Sequence, residues 1–332
     1  MSHNMNRELH ILVTGGSGFM GSHFIDHILR THPYLRVLNL DKRPIDQHPD
    51  HLTQWTQDSR YTVIEGDITN RDQVENIVKT QVIDTVVNFA MITGRNRGLQ
   101  DPLQGVTVNV SGVASLLNVV EKYGVRLIQI GTDQVYGSLE TGLASNSTPM
   151  NPTSHYAAEK AAADMLCYAS HKAHGSDVIM THACNLLGSY QHPNELLPQL
   201  LTNAIDDIPL TIWGDGLQQR QWLFIKDYVR AIELITLEGI SGNTYNIGSE
   251  EEKTILELAH LIQATTFKTS LPILHSDPPY VYDRRHAVDW VDVAKLGWKP
   301  LYTLEDGLSQ ITQWYKEYRS WWEPIKVQGK TL

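Results

Sequence analysis

The stretch LHILVTGGSGFMG, residues Leu9–Gly21, contains the pattern that decides the fold of this chain. It opens with an apolar run, Leu9–Val13, which predicts a buried strand, and a helical pattern follows the glycines directly. Gly15 permits a tight turn, Gly18 lets the backbone approach a pyrophosphate, and Gly21 lets the helix pack closely against the strand. A strand before the glycines and a helix after them are the context of a dinucleotide-binding turn.

Strand-like and helical patterns alternate through the first half of the chain. Their lengths predict a parallel sheet covered by helices on both faces. Right-handed crossovers make this a doubly wound, Rossmann-type α/β fold. The predicted strands are Leu9–Val13, Leu35–Leu40, Tyr61–Glu65, Thr85–Phe89 and Arg126–Ile130, and the predicted helices are Met20–Arg30, Asp72–Lys79, Val106–Tyr123 and Tyr156–His174.

The second half is organised differently, because proline and glycine interrupt the regular alternation after about Asn185. Short segments of mixed type follow, and an apolar-striped helix is predicted over Leu304–Tyr318. We therefore expect a Rossmann domain over residues 1–185 with returning elements around 220–248, and a smaller mixed α/β lobe over 186–332. Such a lobe would pack at the strand ends, where doubly wound folds bind their ligands.

The composition argues against several classes of protein. The formal net charge of −10 disfavours broad nucleic-acid binding, which needs a basic face. We expect neither a signal peptide, because Met1–His10 is polar, nor a membrane segment. The 2 cysteines indicate a reducing compartment, which we take to be the cytoplasm. No metal site is expected, because His171 and His174 lack further ligands of suitable spacing.

A carboxylate follows the second predicted strand at Asp41. It can accept hydrogen bonds from both ribose hydroxyls and repels a 2′-phosphate, which favours NAD over NADP, although Lys42 and Arg43 weaken that exclusion. Asp67 follows the third strand, where an adenine edge would lie, and a helix cap is its alternative role. The predicted cofactor-binding residues are Gly15, Gly18, Phe19, Met20, Gly21, Asp41, Lys42, Asp67, Ile68, Ala90, Tyr156 and Lys160.

Tyr156 and Lys160 are four residues apart and share one face of a predicted helix. A nearby ammonium favours tyrosinate, so the lysine is expected to lower the phenol pKa toward the working range. Thr132 ends a predicted strand and can donate to the same substrate oxygen. This arrangement suits oxidation of a secondary alcohol, in which tyrosinate takes the hydroxyl proton and NAD takes the hydride.

Thr14–Gly21, Asp41, Thr132, Tyr156 and Lys160 together resemble an extended short-chain dehydrogenase/reductase. Within that class the chain is similar to the dTDP-glucose 4,6-dehydratases over most of its length. These matches are far more specific for nucleotide-sugar enzymes than the glycine motif alone. The matching segments are TDQVYG (132–137), NPT (151–153), YQHP (190–193), GDG (214–216), RQW (220–222), YNIG (245–248), DRR (283–285) and LGWKP (296–300).

The resemblance implies roles for residues in the second half. Arg220 and Asn246 would hold the diphosphate of a nucleotide-diphosphate sugar, and Arg285 would help. Arginine suits this role because its planar fork pairs with two oxygens at once, although a surface ion pair is the alternative for Arg220. Asn185 would face the sugar, and the segment that begins at Leu196 would pack around the base.

The resemblance also exposes departures from the family. In these dehydratases an aspartate protonates the departing C6 hydroxyl, and a neighbouring glutamate removes the C5 proton. Asp133 stands at the acid position, but Gln134 occupies the base position, and an amide cannot act as a base at neutral pH. The segment 91–96 and Leu186 also differ from the family pattern. The cofactor half is therefore intact, whereas the sugar pocket is rewritten.

The leading hypothesis is an NAD-dependent nucleotide-sugar enzyme that oxidises C4. A divergent 4,6-dehydratase ranks first on overall similarity, although Gln134 argues against elimination. An epimerase or a 4-ketosugar-forming oxidoreductase without elimination is the alternative. A non-catalytic NAD- or sugar-nucleotide-binding protein is a further alternative, and the intact Thr132, Tyr156 and Lys160 count against it.

The resemblance finally implies a homodimer. Family members pair through two helices, which correspond here to Val106–Tyr123 and Tyr156–His174. Both are rich in small and apolar residues, and a two-fold interface uses the same patch twice. A helix that covers a sheet also needs an apolar face, so the pattern by itself does not decide the question.

Overall fold

A parallel sheet of 7 strands forms the centre of the computed structural model, which describes residues 9–43, 49–93, 102–278 and 282–326. The strand order reverses beside β1, where ligands bind in doubly wound sheets. The prediction of a doubly wound, Rossmann-type fold is confirmed. Across the sheet the strands are β3 (Tyr61–Glu65), β2 (Leu35–Asp41), β1 (Leu9–Thr14), β4 (Thr85–Asn88), β5 (Arg126–Thr132), β6 (Val178–Ala183) and β10 (Thr244–Ile247).

Helices cover both faces of this sheet, which explains why its strands are almost continuously apolar. One face packs against α1 (Phe19–Thr31) and α8 (Ile225–Glu238). The other face packs against α3 (Arg71–Thr80), α5 (Val113–Tyr123) and α6 (His155–His174). The carboxyl ends of the strands are left open between these layers for the loops that build the site.

The helix α6 has clear end signals in its sequence. The Ser154 hydroxyl accepts a hydrogen bond from the backbone N of Ala157 and caps the helix start. The helix ends at Gly175, whose φ of 70° is left-handed. These caps fix the direction of the helix and therefore the positions of Tyr156 and Lys160 along it.

One helical stretch, residues 102–123, is long and apolar enough to cross a membrane by length and composition. It consists of α4 (Pro102–Gly105), a π-helical segment (Val106–Gly112) and α5. Half of its most apolar window, 50%, is buried inside the protein. A helix that covers a sheet has the same composition, so the stretch does not by itself indicate a membrane span.

The rest of the chain adds small sheets and helices of mixed type, as predicted for a C-terminal lobe. The strand β9 (Gln219–Phe224) pairs with β7 (Asn185–Leu187), β11 (Glu252–Thr254) and β13 (Arg285–His286). A second small sheet pairs β8 (Leu210–Trp213) with β12 (Ile273–Ser276). The remaining helices are α2 (Asp50–Thr53), α7 (Leu196–Ile205), α9 (Ile255–Thr266), α10 (Val291–Ala294), α11 (Leu304–Glu317) and α12 (Arg319–Trp322).

Candidate active site

The glycine-rich turn after β1 is shaped by contacts that leave no room for side chains. Gly15 has a φ of +66°, and a Cβ there would lie 2.6 Å from the backbone N of Ala90. A Cβ would lie 3.2 Å from the Gly15 carbonyl oxygen at Gly18 and 2.5 Å from it at Gly21. Gly21 therefore packs on the turn itself. The first amides of α1 lack acceptors within the helix, so this cradle fits a pyrophosphate.

Asp41, the last residue of β2, braces the same turn. Its Oδ2 accepts a hydrogen bond from the backbone N of Ser17, and its Oδ1 accepts one from the backbone N of Arg43, both at 2.9 Å. The Arg43 guanidinium donates to the Ser17 carbonyl oxygen at 2.7 Å. The predicted ribose-binding carboxylate thus lies beside the glycine turn, with a cation next to it.

Lys42 and Asp67 form an ion pair at the ends of β2 and β3. Lys42 Nζ lies 2.6 Å from Asp67 Oδ2, and the backbone N of Thr69 donates to Asp67 Oδ1. Burial acts to raise the pKa of Asp67, but the hydrogen bonds from Lys42 and Thr69 outweigh it and lower that pKa. The alternative of a helix cap is wrong, because Asn70 caps α3. Ile68 is buried beside this pair.

Tyr156 and Lys160, the predicted catalytic pair, lie one turn apart on α6 but do not act on each other as predicted. The Tyr156 hydroxyl donates to Met91 Sδ at 3.5 Å, and Lys160 Nζ donates to the Ile130 carbonyl oxygen at 2.5 Å. Loss of hydration raises the pKa of Tyr156, and the Glu195 carboxylate raises it further. The predicted lowering of the Tyr156 phenol pKa by Lys160 is therefore not found, because the buried Lys160 ammonium donates its hydrogen bond to the Ile130 carbonyl oxygen instead.

A chain of buried amides holds the strand tips beneath this helix. Thr14 Oγ1 donates to Asn88 Oδ1 at 2.5 Å, and Asn88 Nδ2 donates to Gln129 Oε1 at 2.7 Å. Gln129 Nε2 then donates to the carbonyl oxygen of Ile130, the acceptor that Lys160 also uses. The lysine is thereby fixed relative to β1, β4 and β5.

Asp133 lies at the end of β5 with the properties of a general acid. Its side chain is 2% exposed, and Thr132 Oγ1 donates to its Oδ1 at 3.3 Å. Burial raises the pKa of Asp133, and the nearby His286 and Arg220 oppose that rise. A raised pKa keeps a carboxyl protonated closer to neutral pH, as an acid catalyst requires. Gln134 follows directly and is half-buried.

Known proteins share both this architecture and this sequence. Residues 11–248 match the model of the NAD dependent epimerase/dehydratase family. A dTDP-glucose 4,6-dehydratase of Streptomyces niveus is 36% identical over 324 residues, which cover 96% of each chain. The structure of the dTDP-glucose 4,6-dehydratase from Bacillus anthracis in complex with NAD superposes with a TM-score of 0.89 at 34% identity, over 96% of this chain and 100% of that one.

The chain belongs to the NAD-dependent epimerase/dehydratase family. Epimerase structures are similar too: the UDP-glucuronic acid 4-epimerase from Bacillus cereus, in complex with UDP-glucuronic acid and NAD, has a TM-score of 0.86 at 27% identity, over 93% of this chain and 100% of that one. The predicted enzyme class and NAD as the cofactor are confirmed. The cradle at the glycine turn is the structural feature that fits this cofactor.

The family arginines predicted to hold a diphosphate both have partners inside the protein. Arg220 donates to the carbonyl oxygens of Gln219 at 2.7 Å and Asp283 at 2.8 Å. Arg285 forms a bidentate pair with Glu252, at 2.5 and 2.9 Å. The charge of Arg220 acts on Asp133 and opposes the rise in its pKa. A phosphate role for Arg285 requires that its ion pair with Glu252 open.

Asn246 is placed differently from its predicted role. It lies on β10 and is 2% exposed. Its Oδ1 accepts a hydrogen bond from the Tyr136 hydroxyl, and its Nδ2 donates to the Ala144 carbonyl oxygen. Because both ends of the amide are satisfied in the core, the prediction that Asn246 holds a diphosphate does not fit the structure. We assign it a structural role between the central sheet and the loop at residue 144.

One of the positions that depart from the family contacts Tyr156, and two others can be placed in the fold. Met91 Sδ accepts a hydrogen bond from the Tyr156 hydroxyl. The Asn109 side-chain amide accepts from the Ile92 backbone N and donates to the Ile92 carbonyl oxygen, both at 2.9 Å. Leu186 is buried on β7, next to the half-buried Asn185 predicted to face the sugar. The departures at Gly94, Arg95 and Asn96 lie outside the described residues. Leu196, predicted to pack around the base, begins α7 and is partly buried against the core.

Several residues near the site have no signal in the sequence pattern. Glu195 acts on Tyr156 from the start of α7, and His286 acts on Asp133 from β13. Both are distant in sequence from the groups that they affect. The only sequence hint is that His286 directly follows the matching segment DRR.

Proposed function

We propose that this protein oxidises C4 of a dTDP-linked hexose and has a 4,6-dehydratase site with an altered base position. The observation that carries the proposal is that a buried, protonatable carboxyl at Asp133 is close enough to Tyr156 to raise its pKa. An alcohol-oxidising tyrosine and an acid could therefore act on the same substrate. The similar dTDP-glucose 4,6-dehydratases support this substrate class.

The residues of the site have separate roles in the proposed reaction. The glycine turn would hold the pyrophosphate of NAD, and Asp41 would accept hydrogen bonds from its ribose. The cofactor would supply the hydride acceptor for oxidation at C4. Tyr156 takes the C4 hydroxyl proton while Thr132 donates to the same oxygen, and Asp133 gives its proton to the departing C6 hydroxyl. On this proposal residues 1–185 with β10 hold the cofactor, and residues 186–332 hold mainly the sugar nucleotide.

Gln134 favours a second candidate function, C4 redox chemistry without elimination. An amide at the base position cannot take the C5 proton, so a 4-ketosugar or a C4 epimer becomes the expected product. Incubation with dTDP-glucose distinguishes the candidates. We expect NADH absorbance to appear while mass spectrometry finds slow or absent loss of water. Brisk loss of water would show that another base acts, and a lack of NADH with every nucleotide sugar would favour a binding protein.

We also propose a homodimer in a cytoplasmic setting. Large apolar side chains are exposed where the 102–123 stretch lies against α6, and the free thiols Cys167 and Cys184 suit a reducing compartment. Sedimentation should give a dimer mass, and Leu166→Glu should give a monomer, whereas Leu301→Glu, at an exposed site elsewhere, should not. A monomeric unmodified protein would contradict this. The exposed apolar side chains are Leu103, Val106, Met165, Leu166 and Tyr168.

A further inference from the structure

A histidine–aspartate pair lies beside the acid of the candidate site. His286 is 4% exposed, and its Nε2 lies 2.9 Å from Asp283 Oδ2. The same carboxylate oxygen accepts a hydrogen bond from Thr153 Oγ1 at 2.6 Å. Thr153 lies just before α6, so the pair is tied to the helix that carries Tyr156.

The strand β13 brings this pair to Asp133. Its residue His286 lies opposite Arg220 of β9 in the register. Beyond the turn that begins at Asp133, the backbone N of Leu139 donates to the Arg285 carbonyl oxygen at 3.0 Å. The chain after the acid is thus bonded to β13, which brings the His286 imidazole close enough to act on the Asp133 carboxyl from a distant part of the sequence.

One polar atom of each of these two side chains has no hydrogen-bond partner in the part of the chain that the structure describes. They are Asp133 Oδ2 and His286 Nδ1, and both are buried. A buried polar atom left without a hydrogen bond destabilises the fold, so both atoms favour a partner. The Asp283 carboxylate accepts a hydrogen bond from His286 Nε2. A neutral His286 therefore carries its proton on Nε2 and has a lone pair on Nδ1. The two atoms do not hydrogen-bond each other in this arrangement, and a proton shared directly or through one bridging water would satisfy both.

The other groups that act on Asp133 cannot serve in this way. Arg220 does not release its proton in proteins. Both ring nitrogens of His182 are already used, by the Tyr136 hydroxyl at 2.8 Å and by Asp164 at 2.9 Å. The charged groups that act on the pKa of Asp133 are His286, Arg220 and His182. The charge of Asp133 in turn raises the pKa values of Tyr136, Tyr156 and Cys184.

We propose that His286, oriented by Asp283, is a positioning residue that relays a proton to Asp133. The inference rests on the proposed function, in which Asp133 loses its proton to the departing C6 hydroxyl and water forms. The Nδ1–H bond of the His286 imidazolium then breaks, and an O–H bond forms on Asp133. The neutral imidazole regains a proton from solvent when the product leaves. No electrons are transferred in this step.

The relay is needed in this protein because the Gln134 amide cannot exchange protons with Asp133. A carboxylate next to Asp133 in the chain could exchange protons with it, whereas an amide cannot. His286 supplies the missing titratable group from β13. The acid site would therefore depend on a group that is more than 130 residues away in the sequence, at position 286 against position 133.

The kinetic test replaces His286 by Asn in the unmodified protein and in the Gln134→Glu variant. In the unmodified protein we expect the kcat for water loss to fall by about 10- to 100-fold, while NADH formation and KM change by less than about twofold. In the Gln134→Glu variant the fall should be smaller, because the restored carboxylate can exchange protons with Asp133. Added imidazole should restore part of the rate. Asp283→Asn should reproduce part of the loss, and His275→Asn, at an exposed histidine of the same lobe, should change nothing. Unchanged water loss, or an equal fall in NADH formation without rescue, would overturn the relay.

A second measurement needs no substrate. His286 lowers the pKa of Asp133, so His286→Asn should raise the titration midpoint of the Asp133 carboxyl, followed by carbon-13 NMR of the holoenzyme. His286→Gln serves as the second variant if Asn impairs folding. An unmoved midpoint would overturn the proposal even if the enzyme is active. If the unmodified protein converts no nucleotide sugar, the proposed function fails instead, and the carboxyl titration still decides whether the two groups are coupled.

Discussion

The nucleotide turn and the acid site lie at the same edge of the central sheet but are built in different ways. The turn is made by the backbone of one short segment, 14–21, in which added Cβ atoms would collide with neighbouring backbone. The acid site is made by side chains from separate strands, with Asp133 on one side and Arg220 and His286 on the other. A backbone site tolerates few replacements, whereas a side-chain site can change its chemistry one residue at a time. Gln134 is a change of that second kind.

The largest expected effect tests the side-chain site at its redox group. Tyr156→Phe removes the proton acceptor but keeps the ring, so NAD should still bind while C4 oxidation falls by about 100-fold or more. Stopped-flow NADH absorbance measures the rate, and fluorescence titration measures cofactor binding. Tyr34→Phe, at a tyrosine that is 63% exposed, is the control. Oxidation that survives within about tenfold would show that Tyr156 is not the base.

Gln134→Glu tests whether one side chain separates this site from a dehydratase. A restored carboxylate can take the C5 proton, so water loss from dTDP-glucose should rise by about 100-fold, the lower range of general-base catalysis. Mass spectrometry of the product measures it, with Gln134→Asn as the matched control that keeps an amide. If the variant gains nothing, the altered residues Met91, Ile92 and Leu186 place a different substrate in the pocket.

The same contrast explains what could be predicted from the sequence. The turn is local, so the glycine spacing and its flanking patterns located Gly15, Gly18 and Asp41 together. The strand predicted over Tyr61–Glu65 is observed with those bounds, and the helix predicted from Tyr156 begins at His155. Periodicity carries this information because each element buries one face or both.

The side-chain site was harder to predict because its contacts join distant segments. Asn246 matches a family segment, yet its amide is satisfied in the core, which only the packing of β10 against Tyr136 reveals. Lys160 shares a helix face with Tyr156, but its ammonium donates a hydrogen bond to the Ile130 carbonyl oxygen. His286 lies outside every matching segment. Such residues are identified by burial and partners, which a single sequence does not contain.

Gly15→Ala tests the backbone site. The residue would need a positive φ, and its Cβ would meet the backbone of Ala90 at 2.6 Å. Gly142 also has a positive φ, of +73°, but has nothing within 4 Å of a Cβ. Both Gly→Ala variants should lose about 1–2 kcal/mol of stability from the left-handed backbone. Gly15→Ala should lose about 1–3 kcal/mol more from overpacking, and NAD affinity with it. Equal denaturation midpoints would contradict the close approach.

The smallest expected effect concerns Asp41, a side chain that braces the backbone site. Asp41→Asn keeps an oxygen that can accept from the Ser17 amide, so the turn should hold its shape. It removes the negative charge that repels a 2′-phosphate and keeps the positive charge of Arg43, which donates to the Ser17 carbonyl, near the ribose position. We expect the ratio of NADP to NAD affinity to rise by about tenfold, which is about 1.4 kcal/mol. Calorimetric titration with each cofactor measures the ratio, and Asp72→Asn, at a carboxylate that is 91% exposed, is the charge-matched control. A preference for NADP before any substitution would overturn the role of Asp41. A shift in the Asp72 variant as large as that in the Asp41 variant would mean that overall charge, and not the carboxylate at the turn, selects the cofactor.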